Sequence, residues 1–492
     1  MASSRSDEKT PLLKESPASK SPPSNSTEKV PQTTERTEPS CCTRVERYLS
    51  NITVEPALLL HSLSYAVEGI FKTNMVVDKT CSIQLQYSGD VCTELDSGNY
   101  GKQQDTVQAI TNKYNMYSQW IEMGPAVFVL IFMGMWSDRR SRRLPLLLPM
   151  LGSTIKALGL MANAYFWSLQ PYFILLSYIP YGLTGGMMTA FMAAYAYVSD
   201  TSGTRSRTTR LSFAGVMMMV ASPLGHALGT VLFKYGGYTL VFGVEFAISA
   251  LSAVYIVLRF DDKPPQGARE GGENKIFSLD AIKSTFQVVF KEREGRGRPQ
   301  ILGHIACICL YVMSYDAMSF LFLYTRKKFQ WNYYDYTIFS MCMAPVSVLG
   351  TFILLPILSY RLKIEDGILA FISTSSHIFN GVLMGTAPAP WVLYFAVWVT
   401  GLFSFAITCS RGALSKLVEH DELGAVFSVI GMGESLLPVL ATPLNTAIYN
   451  STLEVFPGTV FLVEAGMSIV ITVIYVWLLT SFQNPEDKKA TV

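Results

Sequence analysis

Polar and apolar residues are sorted into blocks along this chain. Apolar runs lie at about 57–77, 116–136, 144–162, 172–198, 211–232 and 240–258. They recur at about 300–324, 337–359, 367–386, 391–410, 425–448 and 460–480. About 20 apolar residues in a helix cross the hydrocarbon core of a bilayer, so the pattern predicts an all-α, polytopic membrane protein with 12 transmembrane helices in two six-helix bundles. The expected organisation is a disordered cytosolic tail (1–55), an N-terminal bundle (56–258), a cytosolic linker (259–299), a C-terminal bundle (300–480) and a cytosolic C-terminal tail (481–492). The first tail is rich in Ser, Thr, Pro, Glu and Lys with no apolar period, and such a composition cannot bury a core. Within the linker, Leu279, Ile282, Phe286 and Val289 recur at helical spacing. They predict a short amphipathic helix that either lies on the membrane surface or docks on the bundle.

Composition sharpens the class. Half of the residues are apolar, 15% are charged and mean hydropathy is +0.28. A soluble chain carries about 25% charged residues, so a soluble enzyme, a fibrous protein and a wholly disordered chain are excluded. The 39 Lys and Arg nearly balance 37 Asp and Glu, and bulk charge suggests no nucleic-acid partner. Position changes that picture. With the N-terminal tail in the cytosol, 30 basic residues fall on the cytosolic side, 7 on the other, and Lys72 and Lys156 lie within spans. This asymmetry orients both termini to the cytosol. No basic-then-apolar signal segment opens the chain, and Ala2 rules out N-myristoylation.

Local signals follow from that topology. Of the sequons at Asn25, Asn51 and Asn450, only Asn450 faces a glycosylating lumen. Cys81 and Cys92 share the first lumenal loop and either form a disulfide or remain two free thiols. Cys307, Cys309, Cys342 and Cys409 read as small apolar residues, and Cys41 and Cys42 as weak candidates for palmitoylation. In the tail, Glu8, Leu12 and Leu13 resemble an acidic dileucine signal, which would recruit sorting adaptors and direct the protein to endosomes or lysosomes.

Ionisable residues inside spans are costly and therefore mark function or a partner. On span 1, His61, Glu68 and Lys72 fall within about 20° of one face, with Tyr65 close by. They read as a cavity-lining stripe or as a neutralised pair bracing the span. On span 7, Tyr311 and Tyr315 align under His304, and Asp316 points elsewhere. His304 is either a proton-coupling group or an ordinary hydrogen-bonded histidine. Glu122 and Glu434 sit beside Gly124-Pro125 and Gly431/Gly433, where backbone groups open toward a cavity. Asn445 shares the face of Glu434. Lys156 either attracts an anionic substrate or snorkels. On span 5, Pro223, Gly225 and Gly229 predict a kink with close packing.

The most specific string lies between spans 2 and 3: Gly134-Met-Trp-Ser-Asp138-Arg139-Arg140-Ser-Arg142-Arg143-Leu-Pro-Leu146. It resembles the loop motif of the major facilitator superfamily, with Trp136 for Leu and Ser141 for the second Gly, and implies that Gly134, Asp138, Arg139, Arg142 and Arg143 gate the conformational change. Val54-Glu55-Pro56, Trp136-Ser137-Asp138, Val198-Ser199-Asp200 with Arg205-Ser206-Arg207-Thr208, and Arg411-Gly-Ala-Leu-Ser415-Lys416 are similar to the solute carrier 46 family, the proton-coupled folate transporter and its relatives. That resemblance implies pH-driven movement of organic anions or amphiphilic conjugates, with Arg411 handling substrate and protons. The chain departs from the folate transporter at Gly215, where that protein has a glutamate, and at His304, which precedes the family's span 7 histidine.

The expected function is a secondary active transporter, proton-coupled, with a small organic solute, protons and the lipid bilayer as partners and no cofactor or metal. The alternative is a receptor or scaffold retaining a transporter fold. An enzyme is not expected: H-E-x-x-H, G-x-S-x-G and the ATP-binding glycine loop are all missing.

Overall fold

A computed structural model describes residues 53–97, 99–201, 204–260, 287–292, 297–418 and 423–482. The calls on Glu8, Leu12, Leu13, Asn25, Asn51, Cys41 and Cys42 lie outside these residues. The N-terminal half contains α1 (Glu55–Lys79), α2 (Gly101–Arg139), α3 (Arg143–Tyr165), α4 (Phe173–Leu183), α5 (Gly186–Thr201) and α6 (Thr204–Arg259). The C-terminal half contains α7 (Gly297–Tyr315), α8 (Leu321–Phe329), α9 (Tyr333–Leu349), α10 (Asp366–Thr386), α11 (Pro390–Leu402), α12 (Ala406–Leu417), α13 (Leu423–Thr452) and α14 (Thr459–Phe482).

Breaks within spans explain why these helices outnumber or merge the expected runs. Span 4 is divided into α4 and α5 at Gly185 and Gly186, both at positive φ (92° and 55°), a conformation that glycine adopts without Cβ strain. Spans 5 and 6 are the two arms of α6, which bends at Gly236 and Gly237. Span 7 passes from α7 through a tight turn, 316–320, into α8. Span 10 breaks between α11 and α12 at 403–405.

Seven segments among the described residues are long and apolar enough to cross a membrane on those grounds alone. Helices α1, α2 and α13 are not among them. They are also the helices that turn Glu68, Lys72, Glu122 and Thr442 inward. Polarity facing a cavity lowers the mean hydropathy of a span without changing its role.

Within the N-terminal half, α1 lies along α6, and α3 packs against both α4 and α6. Gly225 and Gly229 of α6 make the first contact close. A Cβ on Gly225 would come within 2.4 Å of Ala66 Cβ, and one on Gly229 within 2.7 Å of the Phe71 ring. Small residues thus let the two backbones approach, beside Pro223 within the helix. In the C-terminal half, α10 and α14 form the corresponding tight pair, with Gly381 facing the Phe461 carbonyl. The halves meet where α2 packs on α13 and α6 on α9.

Two boundary expectations change. Helix α2 begins at Gly101 rather than near 116, because its polar first turns supply the seam between the halves instead of a loop. Helix α13 runs to Thr452, so Asn450 is helical rather than in an open loop. Of the linker helix, only 287–290 is described. It is helical, and Val289 is buried with Ile301, Leu414 and Val426, so this end docks on the C-terminal half.

Candidate functional site

Four helices converge on one lysine in the N-terminal half. Lys156 of α3 is fully buried and donates to Glu68 Oε2 of α1, while the Tyr178 hydroxyl of α4 donates to Glu68 Oε1. From α6, Glu245 Oε1 stands 3.8 Å from Lys156 Nζ. The ammonium also lies 4.7, 5.0 and 5.5 Å from the ring centroids of Tyr181, Tyr65 and Tyr178, within range of cation–π attraction. Behind it, His61 Nε2 and the Tyr181 hydroxyl are 3.1 Å apart. The buried cation is compensated by the Glu68 carboxylate and the three rings, with Glu245 close by as a second acid.

A cavity of about 240 Å³ opens next to this cluster, between the halves. Tyr65, Glu68, Lys72 and Glu122 line it from one side, and Ser319, Phe320, Thr442 and Thr446 from the other. Lys72 Nζ donates to Asn115 Oδ1 at 3.0 Å, and the Tyr65 hydroxyl hydrogen-bonds Glu122. The lining presents acids and an amine together, among neutral amides and hydroxyls and a few aromatic and methionine side chains.

The C-terminal half contributes two further groups. Arg411 Nη2 donates to both oxygens of Glu434, at 2.5 and 2.6 Å, joining α12 to α13. Asp316, in the turn after α7, accepts from Thr442 Oγ1 and Asn445 Nδ2, each at 2.9 Å. Thr442 also contacts Gln119 Oε1 at 2.7 Å, which ties this group to α2. Tyr311 stacks near Tyr315, with ring centroids 6.5 Å apart, and its hydroxyl lies 2.7 Å from His377 Nε2.

Among the described residues, several polar contacts cross between the halves at the end that carries the Cys81–Cys92 disulfide, whose Cα atoms are 5.9 Å apart. There Arg326 Nε donates to Asp96 Oδ1 and Oδ2 at 2.7 and 2.9 Å, and Nη1 to Asn74 Oδ1 at 2.7 Å. Lys327 pairs with Asp105. Asn450 accepts from Asn112 Nδ2 at 2.8 Å and donates to the Ala109 carbonyl at 3.2 Å. His226 and Ser340 add a bond at 2.6 Å deeper in. At the other end, Arg142 of the loop motif donates to Asp200 Oδ2 at 2.8 Å and Ser137 Oγ at 2.9 Å, and Arg143 to the Val257 carbonyl at 2.7 Å. The expectations for Gly134 and for the Asp138 and Arg139 side chains lie outside what the structure describes.

Several expectations are redirected. Glu68 and Lys72 do not pair with each other: α1 leaves helical geometry at Gly69, sending Glu68 to Lys156 and Lys72 to Asn115. His61 sits in the bundle interior behind the cavity rather than on its wall. His304 is separate from Tyr311 and Tyr315, in a second cavity with Gln300, Glu365, Asp366 and Lys416. Lys156 does not snorkel. Asp316 joins Asn445 because the helix tightens there, so a constant 100° per residue misplaces it. Asn450 has both amide atoms engaged in the seam in this conformation. The residues sequence reasoning missed are Glu245, Glu464 and His377. Each is an ionisable residue alone in an apolar span, and the rule applied to Glu122 would have found them.

Residues 120–388 match the Major Facilitator Superfamily. Curated relatives include the probable peptidoglycan muropeptide transporter SLC46 of Drosophila melanogaster, 24% identical over 82% of this chain and 81% of that one. The lysosomal proton-coupled steroid conjugate and bile acid symporter SLC46A3 of Gallus gallus is 26% identical over 77% and 82%. The proton-coupled folate transporter of Rattus norvegicus is 24% identical over 84% and 89%. Among solved structures, the human organic anion transporter MFSD10 covers 87% of this chain and 99% of its own at TM-score 0.59 and 15% identity. The inward-open xylose transporter XylE from E. coli covers 87% and 95% at TM-score 0.60 and 12% identity, so these likenesses establish the fold. The protein is accordingly a multi-pass membrane protein of a transporter family and not an enzyme; its relatives include solute carrier 46 proteins, and the chain belongs to the major facilitator superfamily.

Proposed function

We propose that this secondary transporter moves an organic anion or amphiphilic conjugate together with protons, by rocking residues 57–258 against 300–480 around the cavity at Glu68, Lys72 and Glu122. The observation that carries this reading is the cavity itself. It lies between the halves, and its wall holds an amine beside carboxylates that can exchange protons. Lys72 supplies attraction for an anion, Tyr65, Tyr178 and Phe320 supply apolar area, and Glu122 supplies a proton-binding group beside the Glu68–Lys156 ion pair. With both termini in the cytosol, the disulfide end faces a lumen and the conformation is closed on that side. The relatives named for folate, steroid conjugates and muropeptides define the substrate classes worth testing. An endosomal or lysosomal membrane is the favoured location, supported by the dileucine-like tail and the lysosomal name of one relative, with the plasma membrane as the alternative. Glycosylation at Asn450 fits this topology once the seam opens.

Uptake into proteoliposomes under an imposed pH gradient, across folates, steroid conjugates and muropeptides, is expected to show gradient-driven accumulation of at least one class. Flux that ignores the gradient for every candidate would overturn proton coupling. Arg411→Ala is expected to lower that flux about tenfold or more with membrane expression preserved, because Glu434 then lacks the cation that it pairs with among the described residues. Wild-type flux in this variant removes the pair from the pathway.

A further inference from the structure

Spans 6 and 12 carry the same string in equivalent positions of the two halves. Val241-Phe242-Gly-Val244-Glu245 with Ser249 recurs as Val460-Phe461-Leu-Val463-Glu464 with Ser468. The shared residues also occupy shared environments. Val241 and Val460, Phe242 and Phe461, Glu245 and Glu464, and Ser249 and Ser468 are all buried. Each glutamate arm packs on the third helix of its own half, α6 on α3 and α14 on α10. The duplicated glutamates differ in what meets them. Glu245 faces Lys156. Glu464 faces the amide of Asn380, which hydrogen-bonds it and is itself bonded by Thr400 Oγ1 at 2.9 Å. Glu464 Oε2 has no hydrogen-bond partner, and among the described residues no ion pair includes Glu464.

A carboxyl group at this depth persists when a cation or a proton neutralises it. In the N-terminal half Lys156, already bonded to Glu68, stands 3.8 Å from Glu245 without a hydrogen bond to either of its oxygens, whereas no cation among the described residues pairs with Glu464, so there only the proton is left. We infer that Glu464 is a second proton-binding site, placed in the C-terminal half and served by the Tyr315–Tyr311–His377 series. Tyr315 is 58% exposed and stacks on Tyr311, whose hydroxyl meets His377. His377 and Asn380 are three apart on α10 and so share a face, which carries the series to Glu464. Of the other charged and titratable groups on elements packed against α14, His304 and Asp366 line the second cavity, Glu434 is paired with Arg411, and Asp316 has its oxygens occupied by Thr442 and Asn445 of α13. The proton arrives on Glu464 as a neutral carboxyl and leaves it a carboxylate, with no other bond made or broken.

The inference rests on the proton-coupled reading for its purpose but not for its test, which needs no substrate. Infrared spectra of the purified full-length protein are recorded for wild type, Glu464→Gln and Glu464→Asp across pH. The wild-type-minus-Glu464→Gln difference is expected to contain a protonated-carboxyl C=O band that disappears reversibly as pH rises. Glu464→Asp is expected to keep a shifted form of it. A carboxylate band in its place, or a carboxyl band that persists at every pH, overturns the inference. If the titrating band is found while no substrate in the proteoliposome panel responds to a pH gradient, the proton site stands and the coupled-transport reading falls.

Discussion

Lys156→Met is expected to destabilise the N-terminal half by about 3–5 kcal/mol, the usual cost of removing one partner from a buried ion pair. Lys156 is fully buried, and it is the only cation that pairs with Glu68 and Glu245 among the described residues. Methionine fits the volume and the three surrounding tyrosine rings, so the loss comes from charge and not from a cavity. Two carboxylates are then left against each other in low dielectric, and each must take up a proton or draw in water. The thermal unfolding midpoint of the detergent-purified protein should fall accordingly, with a lower yield from membranes. Adding Glu68→Gln to Lys156→Met should restore part of the midpoint, since one uncompensated charge is removed while the hydrogen bond from Tyr178 survives. A midpoint unchanged by Lys156→Met would mean that the cluster is hydrated and contributes no net ion pairing.

The same cluster shows what could be read from residues alone. The all-α membrane fold followed from hydropathy, and attention to Glu68 followed from the cost of intramembrane charge. Partner identity did not follow. Glu68 is four residues before Lys72, and a regular helix would have joined them. The break at Gly69 reassigns both to residues more than forty positions away. The arithmetic of 100° per residue failed again at Asp316, where the chain tightens after α7, and span 4, expected as one run, is interrupted by two positive-φ glycines. Helical periodicity is a local quantity, so it predicts faces well between breaks and badly across them. The seam at the disulfide end was hidden for a different reason. Residues 101–115 look like a polar loop because their hydrophilic side chains meet the other half of the molecule rather than lipid.

That seam supports the second large effect. Arg326 reaches across from the C-terminal half to Asp96, and onward through Asn74, whose Nδ2 donates to the Tyr238 hydroxyl at 2.5 Å; this hydroxyl in turn donates to Asp78 Oδ2 at 2.5 Å. A hydrogen bond to a charged group contributes about 1.5–3 kcal/mol, and Arg326 is largely shielded from water. Converting Asp96 to Asn leaves the guanidinium with a neutral partner and shifts the balance toward the state open at the disulfide end. At about 1.4 kcal/mol per factor of ten, the population of that state rises about tenfold or more. A cysteine introduced at Ser319, on the cavity wall, reports the change through its rate of reaction with a membrane-impermeant maleimide applied from the disulfide side. Asp96→Asn should raise the rate about tenfold, and Arg326→Ala should do the same. Cys81→Ser with Cys92→Ser should move it in the same direction, because the disulfide closes the loop from which Asp96 reaches the seam. If all three leave the rate at its starting value, the Arg326–Asp96 contact does not hold this end shut, and closure rests on the α2–α13 and α6–α9 packing instead.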